Sequence, residues 1–397
     1  MEKDCEALLQ AHLAEYRREP EVVAGAPGHF HLIGEHSWFF KDKTLSMAVD
    51  MPVHVSVSRR NDMNLQFYFV QTKDRRRSSA TALKFRKEDR WSNAVKAVLH
   101  GFAADGFELP GFDMAVSSRM PPSKGFGITT AMKVAAAVAV RNVCRLDCSD
   151  MDLLHVLEQG NRQYLGTDSH MADNVAALFA RQGALLVTDH TTMSWDTFDF
   201  PFADKTVLLT DAGVPRVDVW NRDTLMQAEN VLLLGDIKES RQGVYGGWRY
   251  EDSPLLLEEF LSMFPEATRR RLSCIMAEHQ NVLEAVGGLQ RKNFGQFARA
   301  VNNSHRALRD LFDLSCPETD WILKRVAELD ENLEDIRSPT SCGRITGKGF
   351  GRCVYTVLDN ADVDKYKRKL REYERFFGFH PRCYHVVPSA GARIVEG

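Results

Sequence analysis

The sequence predicts an α+β fold, because strands and helices are mixed along it without a regular βα alternation. Residues 53–57 and 65–69 alternate apolar and polar side chains, which is typical of half-buried antiparallel strands. Apolar residues at helical spacing instead indicate helices over 3–17, 91–104 and 129–144.

The rest of the chain continues this mixture. The charged stretch 73–79 is expected to be a solvated hairpin tip. The aperiodic stretch 235–254 predicts a long loop. The other expected elements, in chain order, are a strand at 112–116, helices near 150–164 and 172–181, strands near 184–188 and 206–210, helices through 255–333, a glycine-rich loop at 343–351, a strand at 353–358, a basic helix near 362–376 and a terminal strand.

Composition excludes several classes of protein. The 397 residues carry 51 Lys and Arg against 54 Asp and Glu, a formal charge of −3, which disfavours binding to nucleic acid. Eight scattered cysteines without a CxxC pair favour reduced thiols. No secretory signal or membrane-spanning run is visible. We expect a cytoplasmic, monomeric protein of two or three domains without nucleic-acid or membrane partners.

A histidine-rich strand between glycines is the first of three unusual segments. It covers residues 26–36, and its His29 and His31 would share one strand face. Such a pair is a conceivable metal site, but a third ligand is not evident from the spacing. The alternative is that these histidines are hydrogen-bonded polar groups in a crowded turn.

The second segment, residues 121–127, leads into the apolar helix that begins at Ile128. Free backbone N–H groups at a helix start, together with Lys124, would suit a phosphate, and threonine hydroxyls nearby could reach Mg²⁺. No GxxxxGK[ST] motif exists in the chain. An ordinary tight turn is the alternative.

The third segment, residues 346–351, has glycines spaced so that its backbone can approach a ligand or another backbone closely. It does not match GxGxxG, which disfavours dinucleotide binding.

In this order, the three segments resemble the motifs of the GHMP family of small-molecule kinases, and specifically of its galactokinases. APGHFHLIGEH at 26–36 is similar to the family pattern APGRVNLIGEHTD. SHRALRDLFDLSCPETD at 304–320, CGRITGKGFGRC at 342–353 and PSAGARIV at 388–395 resemble further galactokinase segments. The resemblance covers nearly the whole chain.

The resemblance implies a two-lobed fold with ATP and sugar in the cleft between the lobes. The first lobe, residues 1–190, would be like a ribosomal-protein fold, and the second, 191–397, would be ferredoxin-like, with the last strand returning to the first lobe. The implied reaction transfers the γ-phosphoryl group of MgATP to the anomeric hydroxyl of galactose or a related sugar.

The resemblance also implies site residues. Asp173, with His29, would be catalytic, and Asp173 would accept or orient the proton of the sugar hydroxyl. The implied sugar-binding residues are Glu35, His36, Trp38 and His170. The implied phosphate-binding residues are Ser123, Lys124, Gly125, Phe126, Gly127, Thr129, Thr130, Gly347, Lys348 and Gly349, and Thr129 would also be the hydroxyl ligand of Mg²⁺. On local sequence alone, Asp173 could equally be a helix N-cap.

Several positions depart from the family pattern. His29 replaces an arginine, Trp38 an aspartate and His170 a glycine. Histidine has an unperturbed pKa of about 6.5 and lacks the permanent charge and forked donors of arginine. The family's carboxylate ligand for Mg²⁺ falls on Gly160 or Asn161, depending on a one-residue gap, and neither side chain is anionic.

Two functions are therefore expected. The first is an active sugar kinase with a rebuilt pocket, favoured because Asp173 and all three loops are retained. The alternative is a catalytically impaired protein of the same fold that binds nucleotide or sugar in a regulatory role.

Overall fold

The computed structural model describes residues 2–36, 43–120, 125–167, 170–214, 262, 265–330, 338–347 and 353–396. The strands are β1 (Val22–Ile33), β2 (Lys43–Arg59), β3 (Asn64–Phe69), β4 (Asp74–Ser79), β5 (Phe112–Ser118), β6 (Ala184–Asp189), β7 (Ser194–Asp199), β8 (Lys205–Asp211), β9 (Cys342–Thr346), β10 (Cys353–Asp359), β11 (Arg382–Val386) and β12 (Arg393–Glu396). The α-helices are α1 (Glu2–Tyr16), α2 (Ser92–Ala104), α3 (Ile128–Val143), α4 (Asp150–Gln159), α5 (Met171–Phe179), α6 (Glu266–Gln290), α7 (Phe294–Asp310), α8 (Pro317–Ala327) and α9 (Val363–Phe377). The loop predicted at 235–254 lies outside the described residues.

The described residues fall into two compact units. The first lies within Met1–His31, Thr44–Phe200 and Val386–Gly397, and the second lies within Leu32–Lys43 and Pro201–His385. No helix in the described part of the chain is both long and apolar enough to span a membrane.

The first unit contains a mixed sheet with the strand order β12-β1-β2-β5-β3-β4, and β6 joins β2 to β7. Every residue of β1 and β5 is buried. Helix α3 is rich in alanine and valine, and nearly all of it from Thr130 to Val140 is buried. Because Ala and Val are small, α3 can pack closely against α2 and α5. This packing brings the start of α3 and the start of α5 into the same unit as β1.

The second unit contains a four-stranded sheet with the order β11-β8-β10-β9. Counted along the chain, this is fourth, first, third and second, the order of a ferredoxin-like βαββαβ fold. Apolar residues of the sheet, of α7 and of α9 share one core, including Leu208, Leu308, Val354 and Tyr366. The predicted α+β class is therefore confirmed.

Three local predictions were wrong. Residues 74–79 are not a hairpin tip but strand β4, which pairs antiparallel with β3. Their charges are those of an exposed edge strand, where charged side chains prevent pairing with other chains. The predicted loop at 343–351 begins with strand β9, and the helix expected to run to 164 changes after Gln159 into a π-helical turn, Gly160–Leu165.

The N-cap alternative for Asp173 was also wrong. Helix α5 begins at Met171 with His170 as its N-cap, so Asp173 is the third helical residue. Its carboxylate therefore lies in the first turn, where negative charge is favoured by the helix dipole.

A buried histidine couples α1 to the sheet of the first unit. His12 is fully buried, and its Nδ1 and Nε2 lie 2.8 Å and 2.7 Å from the hydroxyls of Ser56 and Ser58. A neutral imidazole satisfies both contacts, because each hydroxyl can donate or accept. Burial, with a smaller contribution from Arg18, lowers the pKa of His12 to about 4.

This histidine predicts loss of stability in acid. Below pH 6.5 the unfolded chain protonates His12 while the folded chain does not, so its contribution is intact above that pH and declines toward pH 4. Between pH 7 and pH 5 the wild type should lose roughly 2 kcal/mol more unfolding free energy than His12→Gln, which cannot titrate. Urea unfolding at the two pH values measures the difference. Equal losses in the two proteins would show that His12 is not held neutral.

Candidate active site

The carboxylate of Asp173 contacts two histidine side chains of β1. His29 Nε2 lies 3.1 Å and His31 Nε2 2.7 Å from the same oxygen, Oδ1 of Asp173. His29 and His31 are two residues apart, so the strand presents both rings on one face. Both histidines are buried, whereas 32% of the Asp173 side chain is exposed. The carboxylate is thus fixed by the protein and still open to a small molecule.

Two further histidines extend this group. His170 Nδ1 lies 3.7 Å from Asp173 Oδ1, and the rings of His170 and His31 meet edge to face at 4.8 Å. On its other side His170 lies 5.0 Å, centroid to centroid, from His190, whose Nε2 contacts the Thr44 hydroxyl. Three imidazoles therefore lie around the Asp173 carboxylate, and a fourth, that of His190, packs against His170.

These contacts determine the charge of the group. Burial acts to raise the pKa of Asp173, but the neighbouring side chains of His170, His29 and His31 lower it well below its usual range. Burial lowers the pKa of His31 despite Asp173, and burial with the neighbouring histidines lowers that of His190 to about 3. Asp173 is consequently an anion at neutral pH, while His31 and His190 are neutral.

A buried lysine of α3 adds a cation near this carboxylate. Lys133 Nζ donates a 2.8 Å hydrogen bond to Oδ1 of Asn161, and both residues are buried. Burial lowers the pKa of Lys133 to about 8, an effect that Asp173 opposes. Gly160 and Asn161 are the two positions at which the metal carboxylate of the family was expected to be replaced. Gly160 packs against the Ala97 carbonyl, where a Cβ would lie 2.2 Å from the oxygen. Asn161 thus holds an ammonium group.

The loop before α3 is in contact with His29. The backbone N–H of His29 donates to the Phe126 carbonyl at 3.0 Å, and α3 begins directly after Gly127. Gly127 has a φ of 67°, and a Cβ there would lie 2.2 Å from Cε1 of His29. His29 Nδ1 is buried beside it and has no hydrogen-bond partner among the described residues. The imidazole of His29 therefore contacts both the Asp173 carboxylate and the loop that was predicted to bind phosphate.

A second polar group lies in the second unit and includes Glu35. The fully buried Arg344 donates from Nη1 and Nη2 to the two oxygens of Glu35, at 2.7 and 2.8 Å. The same guanidinium donates to Glu278 at 2.9 Å and to the Ser304 hydroxyl at 2.6 Å. Glu278 also accepts from Ser304 and from the Gly34 amide. Burial raises the pKa of Glu278, although Arg344 opposes this.

The remaining predicted site residues are placed as follows. Thr129 is exposed in the first turn of α3, and Thr130 is buried. His36 has its ring 5.9 Å from that of Phe312 and its Nε2 3.8 Å from Glu35. Gly347 follows β9 with a φ of 75°. Gly125 and Phe126 precede Gly127, and Trp38, Ser123, Lys124, Lys348 and Gly349 lie outside the described residues.

Sequence reasoning missed several members of these groups. His31 was considered only as one of a pair, and its third partner, Asp173, is 142 residues away in sequence. Lys133 and His190 carry no local signal, because a lysine in an apolar helix and a histidine after a strand are common. Arg344 lies within a recognised motif, but its pairing with Glu35 spans 309 residues.

The chain is similar to known proteins over most of its length. A family model described as the GHMP kinases N terminal domain matches residues 92–181, and the galactokinase galactose-binding signature matches residues 10–59. A Treponema pallidum protein named "Putative galactokinase" is 37% identical over 391 residues, covering 97% of this chain and 95% of that protein. The galactokinase of Thermotoga maritima is 23% identical over 93% of this chain and 99% of its own.

Solved structures show the same fold. The Lactococcus lactis galactokinase complexed with galactose superposes with a TM-score of 0.83 at 18% identity, covering 98% of this chain and 99% of that one. The mevalonate kinase of Methanococcus jannaschii gives a TM-score of 0.63 at 13% identity, with 92% and 98% covered. At these identities the likeness concerns the fold.

Proposed function

We propose that this chain, which belongs to the galactokinase family of GHMP kinases and is thus a sugar kinase that uses ATP, phosphorylates the anomeric hydroxyl of galactose or a closely related sugar. The observation that carries the proposal is the anionic, partly exposed Asp173, held by His29 against the loop that begins α3. A carboxylate next to a helix start offers a proton acceptor beside an anion-binding position.

We assign to Asp173 the role of accepting or orienting the proton of the sugar hydroxyl as that oxygen attacks the γ-phosphorus. Phosphoryl transfer depends mainly on positioning and on electrostatic stabilisation. Two buried imidazoles that donate to one oxygen of Asp173 restrict its rotation, and its second oxygen remains for the substrate. The carboxylate is thereby preorganised before the sugar binds.

His29 takes over part of the role of the family arginine. Its Nε2–H donates to Asp173, as a guanidinium would, and keeps the carboxylate oriented. It cannot offer a second forked pair of donors to a phosphate. We therefore assign anion binding mainly to the backbone N–H groups at the start of α3, with Gly347, Lys348 and Gly349 as further phosphate contacts. The other residues assigned to phosphate binding are Ser123, Lys124, Gly125, Phe126, Gly127, Thr129 and Thr130.

Mg²⁺ would enter as the complex with ATP and neutralise phosphate charge. The described residues fit a protein-held Mg²⁺ poorly, because Asn161 binds Lys133 and Thr129 offers only a hydroxyl. No step is therefore assigned to a protein-bound metal, and Lys133 supplies the nearby positive charge that acts on Asp173.

Sugar recognition is assigned to Glu35, His36, Trp38 and His170. The bidentate pair with Arg344 fixes the orientation of the Glu35 carboxylate, whose oxygens are of the acceptor type that sugar hydroxyls require. The indole of Trp38 replaces an acceptor with a donor, so the hydroxyl pattern of the preferred sugar should differ from that expected for the family pattern.

The test is an ADP-release assay with MgATP and a panel of free sugars, starting with galactose, and detection of the sugar 1-phosphate by phosphorus NMR. The matched control is 1-deoxygalactose, which lacks the acceptor hydroxyl and should bind without turnover. No turnover with any sugar, together with nucleotide or sugar binding by calorimetry, would refute the kinase and support the regulatory alternative.

The contact of Gly127 with His29 predicts a selective loss of activity in Gly127→Ala. A Cβ in the left-handed region costs about 1 kcal/mol of stability. Here it would also displace the His29 ring, so kcat should fall roughly 100-fold. Steady-state kinetics and urea unfolding measure the two effects.

Gly166→Ala is the matched control, because Gly166 has a φ of 64° and no described atom within 4 Å of an added Cβ. It should lose the same stability and keep its kcat. Equal kcat in the two variants would show that the position of His29 is unimportant for turnover.

A further inference from the structure

The geometry points to a transition-metal site formed by His29, His31 and Asp173. Their ligand atoms all lie within 4.8 Å of one another. We infer that Nε2 of His29, Nε2 of His31 and a carboxylate oxygen of Asp173 bind one divalent ion of the zinc type. Binding at these atoms does not depend on the proposed function, whereas its consequence, inhibition of phosphoryl transfer, rests on it.

The distances are close to those that a metal needs. In a tetrahedral zinc site with bonds of about 2.0–2.1 Å, ligand atoms lie roughly 3.3 Å apart. The observed separations from Asp173 Oδ1 are 3.1 Å to His29 Nε2 and 2.7 Å to His31 Nε2, each within a few tenths of an ångström of this value. The two imidazole nitrogens lie within 4.8 Å of each other, so metal binding would draw the two rings together. Three protein ligands would leave a fourth position for water or a substrate oxygen.

The chemistry of the ligands selects the ion. Two imidazoles and one carboxylate suit Zn²⁺, Co²⁺ and similar ions, whereas Mg²⁺ prefers oxygen ligands in an octahedron. The site should therefore discriminate against the Mg²⁺ that accompanies ATP. His170, beside the carboxylate, is a further imidazole close to the site.

Ser46 supports the ligand role of His31. An imidazole that binds a metal through Nε2 must carry its proton on Nδ1, where an acceptor stabilises it. Nδ1 of His31 lies 2.8 Å from the Ser46 hydroxyl, which can accept this proton in the metal-bound form and donate to the same nitrogen in the metal-free form. The strand can thus present His31 in either tautomer.

An ion bound to Asp173 would draw negative charge from the whole carboxylate, including the second oxygen that the proposed reaction requires. The carboxylate would then be unable to accept a proton from the sugar. Zn²⁺ at one equivalent per chain should therefore stop turnover in excess Mg²⁺, and a chelator should restore it.

To test this, the full chain is titrated with Co²⁺, whose visible absorption reports coordination by nitrogen and oxygen. The bound Co²⁺ is then displaced with Zn²⁺. We expect one ion per chain, retained in excess Mg²⁺. His31→Gln, which can still donate to Asp173 but is a poor metal ligand, should bind at least 100-fold more weakly, and Ser46→Ala about 10-fold more weakly. His380→Asn removes an exposed histidine paired with Glu374 and should bind like the wild type.

The outcomes separate this inference from the proposed kinase activity. No Co²⁺ spectrum in the wild type, or an unchanged spectrum in His31→Gln, overturns the metal site even if turnover is measured. A stoichiometric spectrum that is lost in His31→Gln supports the site even if no sugar is phosphorylated. Circular dichroism of each variant confirms that it is folded, and Asp173→Asn provides a second ligand variant.

Discussion

Asp173→Asn should lower kcat by about 10²- to 10⁴-fold while the KM for sugar changes little. Asparagine has nearly the same shape, and its amide oxygen can still accept from His29 and His31, so the local structure should persist. It cannot accept a proton, and it removes the negative charge that these histidines and Lys133 surround. Single-turnover kinetics with MgATP and the best sugar of the panel isolate the chemical step.

Asp196→Asn is a suitable control, because Asp196 is an exposed carboxylate on β7 of the same unit. It should keep the wild-type kcat. An Asp173→Asn protein that retains more than a tenth of the wild-type kcat would mean that proton acceptance by Asp173 contributes little to phosphoryl transfer.

Arg344→Met should lower the free energy of unfolding by about 3–5 kcal/mol. Methionine fills much of the space of the arginine stem but leaves Glu35 and Glu278 buried without their shared cation. The exposed fractions of these two side chains are only 6% and 1%, so water cannot replace the lost hydrogen bonds. Urea unfolding at neutral pH, followed by circular dichroism, measures the loss.

Glu278→Gln is the matched comparison, because it removes one carboxylate and leaves the bidentate pair of Arg344 with Glu35. Since the buried group would then hold one negative and one positive charge, we expect a loss below about 1.5 kcal/mol. Similar losses in the two variants would show that hydrogen bonds, and not the charge balance, determine the stability of this group.

The elements that follow one periodic pattern could be predicted from the sequence. The buried α3 was expected at 129–144 and is observed at Ile128–Val143, and the basic helix expected at 362–376 is α9. Strand β4 could not be predicted in this way, because an edge strand need not bury one face and its Arg-rich sequence has no apolar alternation. Periodicity in the sequence identifies the buried face of an element, so it cannot identify an element that has no buried face.

The candidate site could be predicted only in part. The motifs identified Asp173, His29 and Glu35 because each occurs in a recognisable local sequence. The convergence of His31, His170 and His190 on one region depends on tertiary packing between β1, α5 and the end of β6, which no local pattern encodes. The same holds for Lys133, whose ammonium group meets a side chain from the π-helical turn.

That π-helical turn, Gly160–Leu165, lies where the resemblance to the family pattern implies a one-residue gap. A π-helix closes hydrogen bonds between residues five apart, so it accommodates one residue more than the α-helical path it replaces. The additional residue is absorbed within the turn, and α4 before it and α5 after it keep their buried faces.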